Sequence, residues 1–181
     1  MKVEPGALAG VLLLEPNVFG DARGFFFESY NRKAFAQATG LDVEFVQDNH
    51  SRSSKNVLRG LHYQLRQPQG KLVRVTVGEI WDVVVDLRRG SPTFGRWSAV
   101  ALGAATRRML WVPAGFAHGF LVLSEHAEVQ YKATDYYAPE HERSLLWNDP
   151  ALAISWPLSG EPVITDKDRR GKPLAAADTF D

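Results

Sequence analysis

The sequence predicts a mainly all-β protein, a sandwich or barrel of about nine short strands with one helix. Apolar runs are brief and rich in Val, Leu, Phe and Trp, and Gly or Pro repeatedly cuts them. Only one stretch carries a helical pattern with both of its ends marked. The 181 residues, 45% hydrophobic and 11% aromatic, supply enough apolar material for a substantial core, and 1–181 reads as a single domain.

In chain order, residues 11–14, 25–30 and 43–46 are the first strand candidates. Between the last two, Asn31 caps a helix whose Ala34, Phe35 and Ala38 share one face, and Gly40 provides the left-handed residue that ends it. Residues 72–77 and 80–87 follow as strands joined at Gly78, since glycine supplies the positive φ that primed hairpin turns need. Residues 97–102, 110–112, 116–123 and 128–131 continue the series. From Arg170 the chain is polar and Ala-rich without periodicity, which predicts a peripheral tail that trails over the surface or frays.

Charge and composition remove several classes of function. Twenty-one basic and 21 acidic residues cancel, so no global field draws the chain to nucleic acid or an anionic membrane, and an anionic ligand must be held by local cations. The absence of cysteine excludes disulfides, thiolate metal sites and thiol nucleophiles. Residues 1–14 have neither the basic start of a signal peptide nor the length of a spanning helix, and a cytoplasmic protein is expected.

Chemistry concentrates where strands should be apolar. Residues 56–64 place Arg59, His62 and Gln64 in strand-like sequence, and residues 69–74 add Lys71 and Arg74. Strand alternation puts His62 and Gln64 on one face and Arg59, Leu61 and Tyr63 on the other, unless Gly60 introduces a bulge. Taken alone, His62 reads more readily as a structural histidine than as a catalytic one. In residues 110–120, a turn fixed by Pro113 and Gly115 precedes His118, and this Pro-x-Gly-x-x-His arrangement resembles the second motif of the cupin superfamily. The first cupin motif supplies two histidines and a carboxylate to a metal; here Gln64 stands in place of the second histidine, the carboxylate is missing, and Lys71 brings a positive charge nearby. No metal site is expected.

Over roughly residues 11–168 the chain resembles the dTDP-4-dehydrorhamnose 3,5-epimerase family. The motifs that carry this are residues 19–28, 45–51, 58–64, 71–74 and 115–120, then Tyr131-Lys132-Ala133-Thr134, Tyr136-Tyr137, 146–149, Trp156-Pro157 and Lys167-Asp168. Each is weak alone; their order and spacing make the likeness specific. The resemblance implies a cupin-type jelly-roll β-barrel with one or a few short helices, a homodimer, a dTDP-linked 4-keto-6-deoxyhexose as substrate, and no metal or organic cofactor.

The C4 ketone of such a sugar acidifies the hydrogens on C3 and C5, so epimerisation needs a base on one face and an acid on the other. By resemblance His62 is the base, with Asp168 fixing its tautomer; on sequence alone, residues 166–168 would be a solvated charged loop. Tyr131 is the implied acid, a role suited to a phenol that stays protonated at neutral pH. Lys71 is placed to stabilise the C4 enolate. Arg23 and Arg59 match the diphosphate contacts, with Arg23 in a loop that can come from the neighbouring subunit. Tyr137, with Tyr136 as the alternative, is assigned to stacking on thymine, and Glu28, Gln47, Asn49, His118, Glu142 and Lys167 complete the polar lining. His50, His126 and His141 are read as surface or structural. Inversion of C3 alone, a metal-dependent cupin isomerase or dioxygenase, and a sugar-binding cupin without turnover remain the competing readings.

Overall fold

The computed structural model describes residues 1–181. The strands are β1 (Lys2–Pro5), β2 (Leu12–Glu15), β3 (Val18–Asp21), β4 (Gly24–Phe27), β5 (Gln47–Ser54), β6 (Leu58–Gln64), β7 (Lys71–Val77), β8 (Glu79–Asp86), β9 (Trp97–Gly103), β10 (Met109–Val112), β11 (Phe116–Val122), β12 (His126–Ala133) and β13 (Glu142–Ser144). Two short α-helices, α1 (Arg32–Thr39) and α2 (Asp166–Arg169), and two single 3-10 turns, Pro139–His141 and Leu174–Ala176, complete the regular structure. A six-stranded antiparallel sheet in the order β1-β2-β10-β7-β12-β5 faces a five-stranded one in the order β13-β6-β11-β8-β9, the mainly β jelly roll that the sequence implied. Strands β3 and β4 pair only with each other and form a separate hairpin. No helix is long and apolar enough to cross a membrane.

Period-two alternation sorts the side chains into layers. Val73 and Val75 of β7, Ile80 and Val84 of β8, Phe116 and Phe120 of β11 and Val129 of β12 interleave between the sheets. Full burial of each such side chain contributes about 1.5–3 kcal/mol. The opposite face of the five-stranded sheet presents Leu61, Tyr63, Val83 and Val85, covered by Leu145, Leu152 and Trp156. On the outside of the other sheet, Leu14, Leu72, Met109 and Trp111 receive Phe35 of α1. That helix has the ends the sequence indicated: the Asn31 side chain accepts from the Ala34 N–H at 3.1 Å, and Gly40, at φ 73°, donates to Ala36.

Several expectations are corrected. Residues 43–46 are not a strand; Val43 and Phe45 pack against the Phe35–Trp111 cluster, and the strand begins at Gln47. The run over 25–30 ends as a strand at Phe27, after which Tyr30 turns inward to stack edge-on against Phe45. Strands β1, β3, β5 and β13 were not anticipated, and β7 and β8, joined at Gly78, do not pair as a hairpin but lie in different sheets. The tail does follow the surface, but it is pinned. Lys172 bonds to the backbone of Ser144 and Leu146, the Leu174 N–H donates to Asp149 at 2.6 Å, Phe180 bonds to Leu87 and Arg89, and the Tyr63 hydroxyl donates to the Asp178 carbonyl at 2.7 Å.

Candidate active site

The polar interior begins with a β-bulge in β6. His62 lies opposite His118 of β11 and Arg59 opposite Phe120, so Gly60 and Leu61 together face the single residue Gly119. The extra residue reverses the alternation and returns Arg59 to the face that carries His62. Gly60 is required there: its φ is 116°, and a Cβ would come within 2.7 Å of the Gly119 Cα. Leu61 and Tyr63 consequently turn to the outer core.

His62 Nε2 lies 2.6 Å from Oδ1 of Asp168, and the Gly60 N–H donates to the other oxygen of that carboxylate at 3.3 Å. Asp168 is only 2% exposed because α2, capped by the Thr165 side chain, delivers it against β6. The expected charged loop is therefore a short helix with a buried carboxylate. Burial works against the charge of Asp168, but its bonds to His62 and to the Gly60 N–H, together with the Lys167 charge, hold its carboxyl below the ordinary range.

The facing sheet supplies the opposite wall. Lys71 and Tyr131 sit on its inner face, with the Lys71 ammonium 5.8 Å from the centre of the Tyr131 ring. Lys71 is only partly buried, but desolvation within the barrel lowers its ammonium to about 8, opposed by the carboxylates of Asp82 and Glu142. Burial raises the Tyr131 phenol, and the Glu142 charge raises it further. Glu142, on β13 beside Gln64, accepts from the Tyr137 hydroxyl at 3.0 Å and from the Lys167 ammonium at 2.9 Å. Burial would raise the Glu142 carboxyl, but Lys167, His62 and Tyr137 together hold it below its usual value. Arg59 is fixed by donation to Ser53 at 2.9 Å. Gln47 donates to Asn49 at 3.0 Å and accepts from the Tyr137 N–H at 2.9 Å, while the buried Asn49 amide nitrogen has no protein partner. The arrangement presents a histidine–carboxylate pair on one wall and a phenol with an ammonium on the other, which suits proton transfer on two faces of one small molecule.

The model of the dTDP-4-dehydrorhamnose 3,5-epimerase family matches residues 5–176. The chain belongs to that family. It is a sugar-nucleotide epimerase by that membership. It is 63% identical to the dTDP-4-dehydrorhamnose 3,5-epimerase of Pseudomonas aeruginosa over 180 residues, 99% of each chain. The Legionella pneumophila dTDP-6-deoxy-D-glucose-3,5-epimerase, solved in complex with dTDP-4-keto-L-rhamnose, superposes with a TM-score of 0.95 at 50% identity, covering 98% of this chain and 94% of the other. A 3′-monoepimerase from Streptomyces bikiniensis, solved with dTDP-quinovose, reaches a TM-score of 0.89 at 37% identity over 97% of this chain and 88% of its own.

Of the residues indicated by sequence, His62, Asp168, Lys71, Tyr131, Arg59, Gln47, Asn49, His118, Glu142, Lys167 and Tyr137 gather in the barrel or at its mouth. Tyr136 and Tyr137 are both exposed; only Tyr137 is bonded through its hydroxyl to this cluster, whereas Tyr136 is tied by its carbonyl to Gln64. Two residues are not brought in. Arg23, at the tip of the β3–β4 hairpin, pairs with Asp21, and Glu28 accepts from Asn31 at the start of α1. Their elements leave the barrel, so within one chain they make no contact with the cluster. Gln64 is fully engaged as a brace, donating to the Gln67 and Tyr136 carbonyls and accepting from the Ala138 N–H.

Asp82 was missed. It is wholly buried on the inner face of β8, and both of its oxygens lie 2.9 Å from His118 Nε2. Its signal was a lone acid in the otherwise apolar run Ile80-Trp81-Asp82-Val83-Val84-Val85, a placement too costly for an unpartnered carboxylate.

Proposed function

We propose that the chain converts dTDP-4-dehydro-6-deoxy-D-glucose to dTDP-4-dehydro-L-rhamnose by inverting C3 and C5 in turn, within dTDP-L-rhamnose biosynthesis. The observation that carries this reading is His62, on one sheet and 2.6 Å from Asp168 of α2, facing Tyr131 and Lys71 on the other sheet. His62 removes the proton beside the C4 ketone, Asp168 holds the ring and balances the imidazolium, and the enolate oxygen receives the Lys71 charge. Tyr131 returns a proton to the opposite face, which inverts the centre. The C4 ketone itself delocalises the electron pair, so the cycle needs no redox partner or organic cofactor.

Arg59 and Lys167 are suited to the diphosphate, and the exposed Tyr137 ring to the thymine. Gln47, Asn49, His118 and Glu142 line the sugar site; the unpartnered Asn49 amide is a donor awaiting an acceptor. Arg23 and Glu28 fit the reading as contributions to the site of a second copy, since the hairpin leaves its own barrel with Phe19, Phe25 and Phe26 exposed. A homodimer and a cytoplasmic location belong to the proposal, to be checked by sedimentation and by cell fractionation.

Inversion at both carbons is favoured over C3 alone by the greater likeness to relatives named as 3,5-epimerases. Incubation with dTDP-4-keto-6-deoxyglucose in deuterated water decides the matter. Deuterium at C3 and C5 is expected; label at C3 alone would make the chain a single-centre epimerase, and absence of label would overturn the assignment.

A further inference from the structure

We propose that Arg107, in the turn between β9 and β10, is a positioning residue for the β3–β4 arm: its guanidinium rests against the Phe25 ring and sets the direction in which Arg23 is presented to a second copy. This rests on the reading above that Arg23 serves a neighbouring subunit's site, and it adds the residue that aims the arm.

The arm needs such a support. β3 and β4 pair only with each other, and an isolated two-stranded ribbon has little stability or fixed direction of its own. Two arginines of one turn hold it. At its root, Arg108 pairs at 3.3 Å with Glu15, the last residue of β2. Farther out, the Arg107 guanidinium carbon lies 4.1 Å from the centre of the Phe25 ring. Phe25 stands opposite Gly20 in the ladder, one pair short of Asp21 and Gly24, between which Arg23 lies. Phe27 stacks on Phe25 at 6.0 Å between ring centres and carries the grip back toward the base of the hairpin. The Arg107 side chain has no competing engagement. It forms no ion pair, its guanidinium donates only to the Ala105 carbonyl of the same turn at 3.2 Å, and its enclosed Nε has no acceptor. The face of Phe25 is therefore the main partner of this cation. The Arg107 backbone is held at φ 56°, a left-handed conformation that is strained for a side-chain-bearing residue and persists where the surroundings impose it. An arm aimed before two copies meet loses less freedom when Arg23 reaches its anionic target.

The test measures kcat and KM for dTDP-4-keto-6-deoxyglucose, and backbone hydrogen exchange over residues 18–27, in the full-length protein. The variants are Arg107→Gln, Arg107→Lys, Arg23→Ala and the double variant Arg23→Ala/Arg107→Gln. Arg107→Gln is expected to raise KM by about two- to fivefold, the scale of an exposed cation–π contact, with kcat unchanged and faster exchange in the hairpin. Arg107→Lys keeps a cation over the ring and should retain most of the parent's KM. With Arg23 already removed, Arg107→Gln should add little further change to KM, because there is no guanidinium left to aim. A parental KM in Arg107→Gln, or fold-increases that multiply in the double variant, overturns the proposal. A parental KM in Arg23→Ala would instead refute the reading of the arm as part of a partner's site. In that case faster hairpin exchange in Arg107→Gln still supports its hold on the arm, and unchanged exchange overturns it.

Discussion

His62 Nε2 and Asp168 Oδ1 meet at 2.6 Å although 106 positions of chain separate them. The contact depends on α2 pressing a buried carboxylate against a bulged strand, and the Gly60 N–H steadies the second oxygen. Replacing Asp168 with Asn keeps the shape but leaves the imidazolium without a countercharge and favours the wrong tautomer. We expect Asp168→Asn to lower kcat by about 10²- to 10⁴-fold. His62→Asn should abolish exchange at both carbons. Deuterium incorporation by NMR measures both, and normal exchange in His62→Asn would move the base elsewhere.

Tyr131→Phe separates removal of a proton from its return. Burial keeps the phenol protonated at neutral pH, so the hydroxyl is the donor that the variant lacks. Exchange on the His62 face should continue while inversion falls. Chiral analysis of the recovered sugar reads this directly, and full inversion by the phenylalanine variant would exclude the hydroxyl.

Activity should decline above about pH 8, where the Lys71 ammonium, its value lowered by desolvation, loses its proton. The sign for stability is opposite. The unfolded chain retains that proton up to the ordinary value of 10.5, so between about 8 and 10.5 the unfolded state binds more protons and this group makes the fold more stable as pH rises. A kcat profile with an alkaline limb near 8, together with a melting temperature that gains a contribution from Lys71 over the same range, is the expected pair of results. Lys71→Met should remove both, and an alkaline limb that persists in it would assign the titration to another group.

The Arg23 arm yields a test of assembly. On the proposed dimer, the Arg23→Ala and His62→Asn variants should each be weakly active or inactive; Arg23→Ala should raise KM by about tenfold or more, the scale of losing a charge-assisted contact, without lowering the melt. Mixing and refolding the two variants should recover activity, because one site of the mixed dimer then holds both an intact His62 and an intact partner arm. No recovery would place Arg23 in its own subunit's site or outside the site altogether.

A structural prediction concerns Asp86, which is fully buried and bonded to Arg88, Ser91 and Thr93. Burial raises its carboxyl, but these donors prevail and bring it down from 3.8 to about 2. The depressed value stabilises the fold above about pH 4 by about 2 kcal/mol, and this is lost as pH falls through about 2. Asp86→Asn should lower stability at pH 7 and lessen its dependence on acid over that window, as denaturant titration at several pH values would show; equal stabilities at pH 7 would contradict it.

The apolar strands were legible because their two-residue periods and glycine breaks follow directly from burial, and α1 because Asn31 and Gly40 mark its ends. Strand β5 was invisible for a physical reason. Gln47, Asn49, Ser51 and Ser53 line the polar barrel while Asp48, His50, Arg52 and Ser54 face outward, so neither face leaves a hydrophobic period. Residues 43–46 offered the apolar run instead and serve the outer cluster. The site residues on motifs were legible through resemblance. Asp82 was not, since a single acid among valines shows no partner until β11 lies beside β8. The pinning of the tail was not legible because its partners, the Leu87, Arg89, Ser144 and Leu146 backbone and the Tyr63, Arg143 and Asp149 side chains, are distant in sequence.

The strand order also governs when this protein can become itself during synthesis. β6 and β7, which carry His62 and Lys71, find their neighbours only in β10 to β13, and Asp168 emerges later still. A half-made chain therefore presents β6 and β7 with open edges, and the ribosome must deliver nearly the whole polypeptide before the polar interior closes.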